Sequence, residues 1–187
     1  MIETAGDRGR GNCPVHGLPS QIRDPIDFLH RFHLAEREVC AILDRLAGQA
    51  AVDDREVERA AAFLARELPS HILDEEEDLF PLMRLRCEAE DEIERILGRL
   101  HCDHRHADFD TPGIVTLLTG SRADPSVNDR DRMRRYANHA RRHLILENAI
   151  VLPFARLRLS KADLLALSLR MAKRRDHEPF PEHMDAG

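Results

Sequence analysis

A chain of 187 residues and 21.4 kDa has the length of one domain with short appendages, and 42% hydrophobic with only 4% aromatic residues points to an aliphatic core carried on helices. A formal charge of −6 works against binding a phosphate backbone, which argues against nucleic acid as a partner. No run approaches the ~20 apolar residues of a membrane span, and the first residues lack the apolar core of a secretory signal, so a cytoplasmic protein without a membrane partner is expected. Four cysteines without a Cys-x-x-Cys spacing speak against a disulfide frame and against thiolate zinc.

Pro14, Gly17, Pro19 and Pro25 punctuate the start, and residues 1–24 read as an irregular arm. From Pro25, Leu29, Phe32, Glu36, Val39, Leu43 and Leu46 recur in steps of three and four up to Gly48, the pattern of a first amphipathic helix. A second, over about 53–87, carries Val57, Ala61, Leu64, Leu68, Ile72, Leu79 and Leu82 on one side, and Pro69 and Pro81 are expected to bend or interrupt it. A third covers about 90–110, where Thr111-Pro112-Gly113 is expected to break it before a short apolar continuation to Gly120. The fourth opens with Asp124 as N-cap and Pro125 in its first turn, then carries Met133, Tyr136, Ala140, Val151 and Phe154. A short fifth helix, within 159–175, is capped by Ser160 with Asp163 three residues on and ends in Lys173-Arg174-Arg175; residues 176–187 read as a loose tail.

The second pair of helices repeats the first. His71-x-x-x-Glu75 followed by Pro81 returns as His143-x-x-x-Glu147 followed by Pro153, every position displaced by 72, and His30-x-x-His33 returns as His101-x-x-His104, displaced by 71. Two such hairpins, each with an uncovered apolar stripe, predict an all-α, antiparallel up-and-down four-helix bundle over residues 25–158. Stability explains repeated leucines but not repeated His and Glu.

At 100° per residue, His71 and Glu75 share the face of Val57, Leu64, Leu68, Leu79 and Leu82, and His143 and Glu147 that of Tyr136, Ala140 and Val151. His33 and His104 border their stripes, whereas His30 and His101 lie further toward solvent and His106 points away. Two unpaired carboxylates in one small core are untenable without a cation between them, so a metal is expected. Imidazole with bridging carboxylate suits iron or manganese. Glu36, Asp108 and His139 are candidates to join or tune the site, and Tyr136 to donate to a bound oxygen. Of the acidic run 74–78, only Glu75 and Asp78 are read as inward, the rest as a solvated face. Cys40 and Cys102 read as small core or boundary residues, while Cys13 with His16, and His177 and His183, could at most hold a stray ion.

The order His33, His71-x-x-x-Glu75 with Pro81, His104, His143-x-x-x-Glu147 with Pro153 resembles the hemerythrin-like (HHE cation-binding) family over roughly residues 25–158. The resemblance implies a carboxylate- or oxo-bridged centre of two iron ions, with His33, His71, His104 and His143 as terminal ligands and Glu75 and Glu147 as bridges. Zinc or manganese could occupy the same donors. Asp108 one turn after His104, and Glu147 in place of Asp, depart from the oxygen carriers of the family and argue against dedicated oxygen transport. The expected function is binding of a small oxidant (O2, NO or peroxide) in sensing, scavenging or iron handling. The alternatives are a di-iron oxidoreductase, with an unidentified redox partner, and a metal-free structural or partner-binding bundle. The sequence leaves room for a homodimer.

Overall fold

Side chains that satisfy the first free N–H groups fix where the helices begin. In the computed structural model, which describes residues 22–120 and 125–175, the Asp24 carboxylate accepts from Ile26 N and Asp27 N at 2.9 Å and opens α1 (Pro25–Ala47). Asp53 and Glu56 form a capping box at the head of α2, residues 54–86. After a 3-10 turn at Ala89–Asp91, Glu92 in a left-handed conformation (φ 49°) leads into α3 (Ile93–Thr119). Ser126 and Asp129 cap α4, residues 127–158, so Pro125 precedes this helix rather than opening it; the cap expected at Asp124 lies outside the described residues. Ser160 and Asp163 exchange the same pair of bonds at the head of α5 (Lys161–Arg175), as their spacing suggests. No strand occurs among the described residues, and the molecule is an all-α helical bundle. No helix among them is long and apolar enough to cross a membrane.

The prolines of α2 and α4 do not interrupt their helices. A proline lacks an N–H and its ring crowds the carbonyl four residues back. The chain widens by one residue ahead of each, into π turns at Phe63–Glu67, Asp74–Leu79 and Glu147–Val151. Leu68, Phe80 and Leu152, immediately before Pro69, Pro81 and Pro153, donate to carbonyls five residues back, on Phe63, Glu75 and Glu147. Single π turns of this kind gather at functional sites. α3 runs unbroken through Thr111-Pro112-Gly113, because two residues of that turn-like triplet meet a packing need and the third is tolerated at the surface. Buried Thr111 bonds the Tyr136 hydroxyl at 2.9 Å, Pro112 is exposed, and Gly113 admits the Arg132 guanidinium, which a Cβ would meet at 1.9 Å.

Two apolar clusters form the core. One contains Phe32, Val39, Leu43, Leu64, Leu68, Ile114 and Met133; the other contains Leu29, Leu79, Phe80, Met83, Leu97, Leu100, Val151, Leu167 and Met171. Burying each such side chain contributes roughly 1.5–3 kcal/mol. Along α1, α2, α3 and α4 the clusters are met in alternating order, with a layer of polar side chains between them. Cys40 is buried in the first cluster, but Cys102 is exposed rather than at the core boundary.

Of the acidic run, Glu77 is exposed as expected, but Glu76 is half-buried and Asp74 does not belong to a solvated face. Asp74 is fully buried and pairs with Arg174 and with Arg175 (2.5 Å), and Asp78 pairs with Arg170 and with Arg174 (3.0 Å). Helix α5 presents these arginines while burying Leu167 and Met171, so it covers the start of the second π turn of α2. Sequence spacing could not show this, because the cations come from about 100 residues away. Joint Arg174→Ala and Arg175→Ala replacement should therefore cost about 3–5 kcal/mol in urea denaturation, by stranding the Asp74 carboxylate. Arg156→Ala, which removes a half-exposed partner of Asp24 and Asp27, should cost under about 1 kcal/mol.

Candidate metal centre

Four helices send donors into the polar layer. His33 comes from α1, His71 and Glu75 from α2, His104 from α3, and His143 and Glu147 from α4; all six are buried. The four-residue step puts each His and Glu pair of α2 and α4 on one face. His33 Nε2 lies 3.6 Å from Glu75 Oε1 and 3.3 Å from Glu147 Oε2, and His71 Nε2 lies 3.6 Å from Glu75 Oε1. Across the layer His104 Nε2 lies 3.2 Å from Glu75 Oε2 and 3.9 Å from Glu147 Oε1, and His143 Nε2 is 3.0 Å from Glu147 Oε1. Each carboxylate thus turns one oxygen to each side.

The donors form two groups of four, His33, His71, Glu75 and Glu147 on one side and His104, His143, Glu75 and Glu147 on the other, with the ligand atoms of each group within 4.8 Å of one another. Both glutamates belong to both groups. All four of their oxygens, and Nε2 of His33 and His71, are buried without a hydrogen-bond partner, and among the described residues no Lys or Arg pairs with either glutamate. Such orphaned oxygens are costly unless cations lie between them. The nitrogen and oxygen donor set fits iron, manganese or zinc.

The far sides of two imidazoles, His33 and His104, are held as metal ligands commonly are, with one ring nitrogen engaged and the other left to the metal. His33 Nδ1 donates to Asn148 Oδ1 at 3.1 Å, and the Asn148 amide donates in turn to Leu144 O at 2.7 Å. His104 Nδ1 donates to Glu76 Oε1 at 2.6 Å. His143 Nδ1 lies 3.8 Å from Asp103 Oδ2, and the His71 ring stacks on Phe32 at 3.9 Å. Glu76 and Asn148 were missed from the sequence, yet each directly follows a shared glutamate, and the 72-residue displacement relates them as well. Nothing in the sequence marked Asp103.

A cavity of about 30 Å³, room for one or two small molecules, opens beside His71, His104 and His143. Glu36 is buried in its wall, with no arginine paired to it among the described residues, and Tyr136 also lines it while bonding Thr111. His106 is exposed and outside both donor groups, while lining part of the cavity; His139 is half-buried, 3.5 Å from Asp103. His30 and His101 are exposed, the latter bonding Glu76, and Asp108 is exposed and apart from the donors. Cys13, His16, His177 and His183 lie outside the described residues.

A family model, the hemerythrin HHE cation-binding domain, matches residues 24–155. The chain belongs to the hemerythrin HHE family. That match contains α1, α2, α3 and nearly all of α4, with every donor of the centre, and leaves α5 outside it. A comparison with curated proteins finds no match.

In the metal-free hemerythrin domain, protons stand in for the cations. Burial alone would lower the His33 and His104 pKa values, but Glu75 and Glu147 around His33, and Glu75 and Glu76 around His104, hold both at about 9. Burial works against the His143 imidazolium too, yet Glu147 and Asp103 raise it well above the ordinary value, whereas burial keeps His71 well below. Glu75 resists the upward push of burial and stays well below the usual carboxylate range because imidazoles surround it. A histidine whose folded pKa exceeds its unfolded value of about 6.5 stabilises the fold fully below pH 6.5 and loses that contribution as pH rises through the folded value. The metal-free protein should therefore melt at progressively lower temperature between pH 6.5 and 9, measured by calorimetry. Metal uptake, which displaces these protons, should tighten over the same range.

Proposed function

We propose that the chain is a non-haem di-iron protein, acting in the cytoplasm, that binds a small oxidant (dioxygen, nitric oxide or a peroxide) in sensing, scavenging or iron handling. His33, His71, His104 and His143 would be terminal ligands, with Glu75 and Glu147 as bridges. The single observation that carries this reading is the membership of both glutamates in both donor groups. A lone zinc site needs four donors in one group; two groups sharing two carboxylates suit a pair of ions. Ferrous iron prefers more than four donors, so each ion would keep a position open, and a bound pair supplies the electrons that O2, NO or peroxide can accept.

The chain's own residues set what reaches that pair. The cavity of about 30 Å³ admits a diatomic molecule or a peroxide and excludes metabolites of ordinary size. Leu68, Ile72 and Ala140 line part of it and limit bulk water. Glu76 and Asn148 fix the His104 and His33 rings, so these donors are preorganised before any ion arrives.

Anaerobic reconstitution with ferrous iron tests the reading. About two iron ions per chain should be retained, and exposure to O2, NO or peroxide should change the visible spectrum. Retention of no iron, or of a single ion indifferent to all three oxidants, would overturn it. Glu76→Ala and Asn148→Ala should each weaken iron retention about 10–100-fold in chelator competition.

A further inference from the structure

Beside the centre lies a second set of metal donors that the proposed centre does not use. The cavity wall carries Asp103, His106, Asp110 and His139 toward its outer part and Glu36 at its inner end, and among the described residues no Lys or Arg lines it. These residues run from exposed to buried. His106 is exposed, the side chains of His139 and Asp103 are 32% and 16% exposed, and Glu36 is 5% exposed. We propose that this cavity is the path by which divalent cations reach the centre, with Asp110, His106, Asp103 and His139 as transient outer ligands and Glu36 as the inner one. The proposal rests on the metal-centre reading above.

Ions bound for donors that are almost fully buried must shed water on the way in, and they do so readily only where protein nitrogen and oxygen replace it. The outer donors are spaced for such a hand-over. His139 Nε2 is buried with no hydrogen-bond partner, 3.5 Å from Asp103 Oδ1, and the rings of His106 and His139 lie 5.5 Å apart. The other oxygen of Asp103 is 3.8 Å from His143 Nδ1, so the outer set adjoins the inner one. Glu36 projects from α1 into the wall with no hydrogen bond or ion pair among the described residues, a carboxylate left available in the core. Burial raises its pKa to about 7, which is the cost a passing cation would relieve.

Charge distinguishes this path from other ways in. Asp74 and Asp78, which flank Glu75 in sequence, are neutralised by Arg170, Arg174 and Arg175, and those guanidinium groups would repel a cation. The guanidinium recorded near Asp103 is that of Arg99, 3.9 Å away on a side chain 66% exposed. Among the described residues no guanidinium or ammonium group lines the cavity itself, and its carboxylates and apolar walls concentrate cations and speed their arrival.

Cobalt(II), whose visible bands report binding, tests this by rapid mixing with the metal-free full chain. Wild-type protein should take up two ions. Asp110→Asn combined with His106→Ala, and Asp110→Asn alone, should reach the same final absorbance, the double variant about tenfold more slowly, with a weaker slowing by added salt. Glu90→Gln, an exposed acid elsewhere, should load at the wild-type rate. Wild-type rates in both Asp110 variants, with two ions bound, would overturn the path and leave the centre standing; no uptake by the wild-type chain would overturn both. Melting temperatures of the variants separate slow loading from misfolding.

Discussion

Two carboxylates face each other in a core whose described residues offer them no guanidinium or ammonium group, and much of the fold serves to hold them there. Glu75 and Glu147 are fully buried between two apolar clusters, ringed by four imidazoles. Each glutamate sits where a helix opens into a π turn ahead of a proline, and its own carbonyl accepts the bond that closes the turn. The same prolines that would break an ordinary helix thus fix the register of the shared ligands. Around them Asn148, Glu76 and the rings of Phe32 and Phe80 restrain the imidazoles. The stability of the ensemble therefore depends on positive charge at its centre, from protons in the metal-free state and from cations in the loaded one.

The charge outside the centre is divided between two faces. On the side of α5, three arginines close over Asp74 and Asp78 and hold the first residue of the π turn that bears Glu75. On the side of the cavity, carboxylates and imidazoles stand without such cover. The first arrangement favours rigidity near a bridging ligand, the second access by small cations or small molecules. Helix α5 lies beyond the family match, so the clasp on Asp74 is an addition to the hemerythrin domain rather than a part of it.

Much of this was legible because the sequence is duplicated. The repeat of His-x-x-x-Glu at a displacement of 72 marked His71, Glu75, His143 and Glu147, and a 100° step chose His33 over His30 and His104 over His101; the structure brings these six together. Uniform helical spacing also set the limits. Asp74, counted as outward, points away from the donors but is buried under α5, whose arginines pair with it. Thr111-Pro112-Gly113 reads as a turn by local propensity but is overridden by Tyr136 and Arg132 packing against it. Asp103 and Arg174 act across tertiary contacts for which a single sequence gives no local signal, whereas Glu76 and Asn148 were within reach of the repeat.

Anomalous diffraction from crystals grown after iron loading, recorded at the iron absorption edge, addresses the central claim directly. Two peaks about 3.5–4 Å apart are expected, each within bonding distance of one oxygen of Glu75 and one of Glu147. A single peak bound by one group of donors, or carboxylates bonded only to protonated imidazoles, would contradict a shared, doubly bridged centre.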